Sequence, residues 1–240
     1  MKVLQLTMLA AFFFVSVLKP AKADEPYTRS YVILINNETS GTETVTEEKD
    51  RSGAVISRSE HELLLDDGLT RNRLVFSTEM VLSKGGKDIR TYASQYKTGQ
   101  MGALGDSYDV SIKNGEITRV LIRSGQYSAV TAPFTQNMVI VDFNVYHHYE
   151  YLLRRYDLRK KGTQVFANFI PLIGNDIPLK VTWLGDLIMR FDKKNIETRK
   201  FQVEFADIQA TTLFVDKSNR LVVLENPAQG LKVIRKDLLP

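Results

Sequence analysis

The stretch LTRNRLVFSTEMVL, Leu69–Leu82, decides the fold. Leu74, Phe76, Thr78, Met80 and Leu82 fall on one side of an extended chain, and Arg71, Arg73, Ser77 and Glu79 fall on the other. Successive side chains of a strand point to opposite faces, so this alternation describes a strand with one dry and one wet face. Strands of that kind build antiparallel sheets with a solvated side. The same pattern extends in both directions. Upstream, Ser30–Asn36 is a β-branched run closed by Asn36-Asn37, and downstream Gly85-Gly86 marks the next turn. Asn114-Gly115, between Val110–Ile112 and Ile117–Ile122, predicts a type I′ hairpin, because both residues tolerate positive φ.

From Tyr27 to about Thr131 the chain therefore reads as strand after strand. Gln164–Ile170, Leu179–Trp183, Lys200–Ile208, Leu213–Val215, Leu221–Leu224 and Gly230–Arg235 resume the pattern, with Lys217-Ser218-Asn219 as a short turn. Regular turn spacing predicts a mainly β fold, a long antiparallel meander forming a curled sheet or open barrel. Glu43, Glu47, Glu48 and Lys49 crowd charge into a strand and argue against an outer-membrane barrel, which needs a lipid-facing apolar band.

One segment follows another period. In DFNVYHHYEYLLRRYD, residues 142–157, Val145, Tyr149, Leu152, Leu153 and Tyr156 recur at helical spacing and predict a helix over Asn144–Tyr156. Asp142 or Asn144 is the expected cap, and Gly162 the stop. This helix is expected to close or flank the sheet. It also carries two of the three histidines, which invites a catalytic or metal reading. Adjacent residues on a helix point about 100° apart, so His147 and His148 do not face a common point. His147 shares its face with Glu150, Tyr151 and Arg154, too few ligands for a closed metal site, and His61 lies far off in a strand-like run. No metal and no cofactor are expected. A polar ligand pocket on this helix would use His148, Tyr151 and Arg155.

Other chemistries find little support. Gly105-Asp106-Ser107 resembles a lipase nucleophile block, but no histidine follows His148 to serve as its base. No nucleophile elbow or phosphate-binding loop occurs. Trp183 lies in an apolar strand and reads as core, and the strand arginines Arg71, Arg73, Arg90, Arg119 and Arg123 read as scattered surface charge. No catalytic residue is assigned.

Residues 1–23 have the layout of a secretory signal peptide: Lys2, an apolar run from Val3 to Leu18, and Ala21-Lys22-Ala23 as the cleavage pattern. Residues 24–240 are expected to form a single β-rich domain, soluble after cleavage with no transmembrane segment, and periplasmic or secreted. Lys2, Lys19 and Lys22 leave with the signal, so the formal charge falls from +4 to +1. That near-neutral balance disfavours nucleic acid as a partner. With no cysteine there are no disulfides and no thiol nucleophile, and an ordinary core must hold the chain.

Asn144-Val-Tyr-His-His-Tyr149, Leu152-Leu-Arg-Arg-Tyr-Asp157, Phe169-Ile-Pro171, Phe214-Val-Asp216, Arg220-Leu221 and Asn226-Pro-Ala-Gln-Gly230 together resemble a family of exported bacterial β-sheet proteins of the DUF3108 type, distantly similar to the lipoprotein carriers LolA and LolB. The resemblance implies a curved antiparallel sheet with the helix near its concave side, and carries no catalytic residue. Similar domains precede secreted hydrolase domains; this chain ends at Pro240, so an enzyme is expected only as a separate partner.

The resulting expectation is an exported, non-catalytic protein binding a lipid or other hydrophobic or amphipathic ligand. The alternatives are an interaction module for an envelope protein and a hydrolase using His147 or His148. A continuous apolar cavity favours the ligand, whereas a filled core with exposed apolar surface favours the module. The hydrolase needs a histidine facing an open cleft with an acid in reach.

Overall fold

The computed structural model describes residues 26–66, 71–99, 107–123, 125–135, 137–171, 173–192, 194–205 and 209–240. The proposed signal segment and the Gly105-Asp106 pair lie outside them.

Eight strands follow one another as an antiparallel meander: β1 Tyr27–Ile35, β2 Glu38–Lys49, β3 Ala54–Asp66, β4 Arg71–Lys84, β5 Ile89–Gly99, β6 Ser107–Lys113, β7 Glu116–Arg123 and β8 Gln126–Pro133. The quoted stretch is β4, with Leu74, Phe76, Thr78, Met80 and Leu82 buried and Arg73, Ser77 and Glu79 exposed. Asn114 and Gly115 take φ of 53° and 78° between β6 and β7, the geometry the hairpin reading required. Close strand approach demands glycine at Gly41, opposite a register shift in β1, where an added Cβ would lie 2.1 Å from the Glu62 carbonyl oxygen.

A second meander is built from β10 Thr163–Phe166, β13 Leu179–Phe191, β14 Lys194–Phe205, β15 Gln209–Val215, β16 Leu221–Asn226 and β17 Leu231–Arg235. The two join where β1 pairs antiparallel with β17, from Tyr31 opposite Arg235 to Ile35 opposite Leu231. The product is one 14-stranded sheet with β8 and β10 at its ends. A three-stranded sheet of β9 Val139–Ile140, β11 Asn168–Ile170 and β12 Asn175–Asp176 stands apart from it. The expected single strand Gln164–Ile170 is thus two. At Ala167 the chain leaves the large sheet, because the Ala167 carbonyl accepts the Val139 N–H and the buried Asn168 Oδ1 accepts the Val141 N–H.

The helix α1, His148–Arg155, is shorter at its start than the periodicity predicts. Asn144 sits at φ 62°, a left-handed conformation that cannot begin a helix, and neither it nor Asp142 caps α1. Val145, Tyr149, Leu152, Leu153 and Tyr156 pack in one cluster with Ile33, Phe76, Val181, Phe201, Leu213 and Val233. Those partners come from strands on both sides of the β1–β17 seam. Only a sheet curled around the helix lets a two-turn helix meet them all, so α1 lies on the concave side. Every residue from His148 to Leu153 is buried, so the helix is covered all round rather than along one stripe. A second cluster fills the space under β3–β7 with Phe134, Met138, Ile140, Tyr151 and Phe169. Leu153→Asp or Tyr149→Asp should therefore cost more than about 4 kcal/mol, from lost packing plus a buried charge. Unchanged melting temperatures in both variants would contradict this packing.

Candidate functional site

The concave face is not uniformly apolar. Sheet register sets Arg29 opposite Val45, Val45 opposite Ser59, Ser59 opposite Thr78, and Thr78 opposite Ser94. The next row runs Tyr31, Glu43, His61, Phe76. All these side chains point inward and are buried, so a polar stripe crosses five strands beneath α1. Buried charge is costly unless paired, and the helix face carrying His147, Glu150, Tyr151 and Arg154 supplies the partners.

Three groupings result. Arg29 grips Glu150 with two nitrogens, Nε donating to Oε1 at 3.2 Å and Nη2 donating to Oε2. The Tyr31 hydroxyl and the Leu221 N–H donate to the same Oε1, the latter at 3.0 Å, tying α1 to β1 and β16. Burial alone would lower the Arg29 pKa, but the Glu150 carboxylate holds it above its ordinary value. Nearby, Glu47 accepts Tyr151 OH at 3.0 Å and Arg154 Nη2 at 2.7 Å. Burial pushes Glu47 up, yet the Arg154 charge and hydrogen bond hold it below the usual glutamate value.

The third grouping holds histidines. Glu43 Oε1 meets the ring Nδ1 of His147, accepts the His147 backbone N–H at 3.3 Å, and lies 3.3 Å from His61 Nε2. The helix start is capped by a side chain from β2, a carboxylate placed where the helix dipole favours it. His61 is braced by Ser59 Oγ at 2.9 Å and stacks on Phe76. His148 packs edge-on against His147 and Tyr92, and its Nδ1 accepts the Asp142 N–H at 3.3 Å. Burial drives Glu43 up to about 7 against the opposing pull of His61, drives His61 down to about 3, and drives His147 and His148 well below the ordinary imidazole range. Glu43 Oε2, His61 Nδ1, His147 Nε2 and His148 Nε2 have no hydrogen-bond partner among the described residues. An unsatisfied buried polar group costs about 1–3 kcal/mol.

No protein-family model matches the sequence, and no curated protein does. Among the solved structures similar in fold is the crystal structure of a beta-barrel-like protein of the domain of unknown function DUF1849 from Brucella abortus. The two superpose with a TM-score of 0.58 at 10% identity, over 88% of this chain and 94% of that one. Identity that low speaks for the fold alone. The β-rich, barrel-like character expected from sequence is supported, while the finer attribution to the DUF3108 group, or to LolA and LolB, finds no support. Among the described residues no helix is long and apolar enough to cross a membrane.

Of the residues predicted for a polar pocket, His148 and Tyr151 are buried beneath the sheet, while Arg155, partly buried, donates to the Met138 carbonyl at 3.0 Å. They do not converge on one recess. A recess of about 200 Å³ lies instead at the mouth of the curl, lined by Phe143, Tyr146, Tyr149, Phe205, Asn226 and neighbours. His147 has the acid in reach that a hydrolase needs, but it is wholly buried and faces no open cleft. Arg29 and Glu43 were missed altogether. Strand parity placed both on the inward face, alongside Ile33 and Val45, and that was the available signal.

Proposed function

We propose that this chain is a non-catalytic, exported interaction module of the cell envelope, which adds an extended segment of a partner protein to the edge of its sheet at β8. The observation that carries this reading is the edge itself. Gln126–Pro133 contains no charged residue and, among the described residues, pairs with β7 on one side only. Every residue but Ala132 is exposed, with Tyr127 at 69% and Val130 at 58%. Natural sheets guard free edges with charge, bulges or proline, and here the sole guard is the terminal Pro133. An added strand would gain main-chain hydrogen bonds, with Tyr127 and Val130 offering side-chain contacts on the two faces. The filled concavity points the same way, since α1 together with Phe134 and Met138–Val141 packs against its inner face.

A photo-cross-linker at Ser128 in the producing cell should capture one discrete partner. Ala129→Lys/Val130→Lys should abolish that capture while leaving the circular dichroism unchanged. Capture that survives the two lysines would sink the edge reading, and capture of a second copy alone would replace the partner by self-association.

The mouth recess favours a second reading, binding of a hydrophobic or amphipathic ligand. Ligand pockets usually run about 300–1,000 Å³. A recess of about 200 Å³ suits a short acyl segment or a small amphiphile. Native mass spectrometry with lipid extraction, on protein from its own host, should show that extra mass if the recess is the working site. A clean apo mass leaves the edge.

A further inference from the structure

We propose that Glu43, His61 and His147 form a binding site for one divalent transition-metal ion, zinc being the simplest occupant. One ligand-type atom from each residue lies within 4.8 Å of the others. Two ligands at about 2.0–2.1 Å from a tetrahedral zinc sit about 3.3 Å apart, and His61 Nε2 stands 3.3 Å from Glu43 Oε1. His147 Nδ1 is hydrogen-bonded to the same Oε1, closer than two ligands of one ion, so the metal would replace that bond. Two imidazoles and a carboxylate are a donor set suited to zinc, nickel, cobalt or iron. The ligands stand on three rigid elements, β2, β3 and the start of α1. The His147 backbone N–H holds the Glu43 oxygen, and Ser59 Oγ contacts His61 at Nε2, the atom that faces Glu43.

A second, independent observation is the set of unpaired atoms. Glu43 Oε2, His61 Nδ1 and His147 Nε2 belong to side chains buried almost completely and have no partner among the described residues. A neutral imidazole must keep one nitrogen lone pair free, so each histidine brings a buried acceptor into the cluster. A cation against Glu43 Oε2 or His147 Nε2 supplies a partner that no described residue offers, whereas His61 Nε2 would exchange its contact with Ser59 Oγ for the metal. Binding is balanced by release of whatever proton Glu43 carries, since the metal takes the carboxylate. The three side chains are almost wholly buried, so the ion would be acquired as the chain folds.

The test uses the whole mature protein, unfolded, stripped of metal and refolded with one equivalent of Zn²⁺, Co²⁺ or Ni²⁺. One ion should be retained per chain after gel filtration, with a visible Co²⁺ spectrum and a melting temperature that climbs with metal concentration. Glu43→Gln and His61→Gln should each weaken retention by at least about a hundredfold, whereas His148→Gln should leave it within about threefold. Retention below about a tenth of an equivalent for all three metals overturns the site and leaves a purely hydrogen-bonded triad. Equal retention by the Glu43 variant would do the same. Should that variant not fold, the wild-type cobalt spectrum and stoichiometry still decide.

Discussion

Replacing Glu150 by alanine is expected to lower the folding free energy by about 3–5 kcal/mol. The carboxylate is fully buried and accepts from Arg29, Tyr31 and Leu221. Without it a guanidinium stays in the core with little to balance it. Glu47 stands 3.9 Å away, but Arg154 and Tyr151 already occupy it. The charge, more than the lost contacts, sets the size of the effect. Arg29→Met together with Glu150→Leu should be far milder than Glu150→Ala alone, because it removes both ions and keeps the volume. Urea denaturation of the wild type and these variants is the measurement. A cost below about 1 kcal/mol for Glu150→Ala would show that water reaches Arg29.

Acid should unfold the metal-free protein unusually steeply. His61, His147 and His148 are buried neutral, so they contribute stability that is present above pH 6.5 and is lost as pH falls, for His61 down to about 3. Glu43 acts oppositely: raised to about 7, it contributes stability that is full below its unfolded value near 4.5 and is lost as pH rises through 7. Between these limits three imidazoles oppose one carboxyl. The unfolded chain then binds up to about two more protons than the folded one, so stability should fall by as much as about 2.7 kcal/mol per pH unit on acidification. Arg29 and Arg154 face the same cluster and deepen the His147 shift, while Glu47 opposes it. Stability should peak near pH 7. Glu43→Gln removes the opposing group and should steepen the acid limb by up to about 1.4 kcal/mol per unit. A flat urea midpoint from pH 7 to 5 would mean that the folded chain holds as many protons as the unfolded one, so that more than one imidazole is charged in the fold.

The sheet was legible because Leu74 to Leu82 and its like repeat every second residue, and Asn114-Gly115 admits essentially one hairpin. The face shared by His147, Glu150, Tyr151 and Arg154 was legible too, being local to one helix. What it meets was not. Glu43 and His61 come together only through the pairing of β2 with β3, and both reach His147 only because the sheet curls. The split at Ala167 hid for a related reason, since Val165 and Phe169 look alike in sequence yet serve different sheets. Glu43, read with Glu47, Glu48 and Lys49 as charge crowded into a strand, is wholly buried. Charge marks a surface only when no buried partner awaits it.

The β1–β17 seam sets the order in which this chain assembles. Apart from the β10–β13 pair, each meander is a series of hairpins between consecutive strands and can zip locally, but Tyr31 finds Arg235 only after the last strand exists. Closing so long a loop comes late, and long-range strand pairing is slow, on the order of milliseconds to seconds. Until then the two half-sheets expose extra raw edges at β1 and β17, and the inward row from Arg29 to Ser94 faces water. Helix α1, enclosed by both halves, cannot settle before they meet. A chain whose halves have not yet joined would therefore be the species most exposed to aggregation, through the edges at β1 and β17.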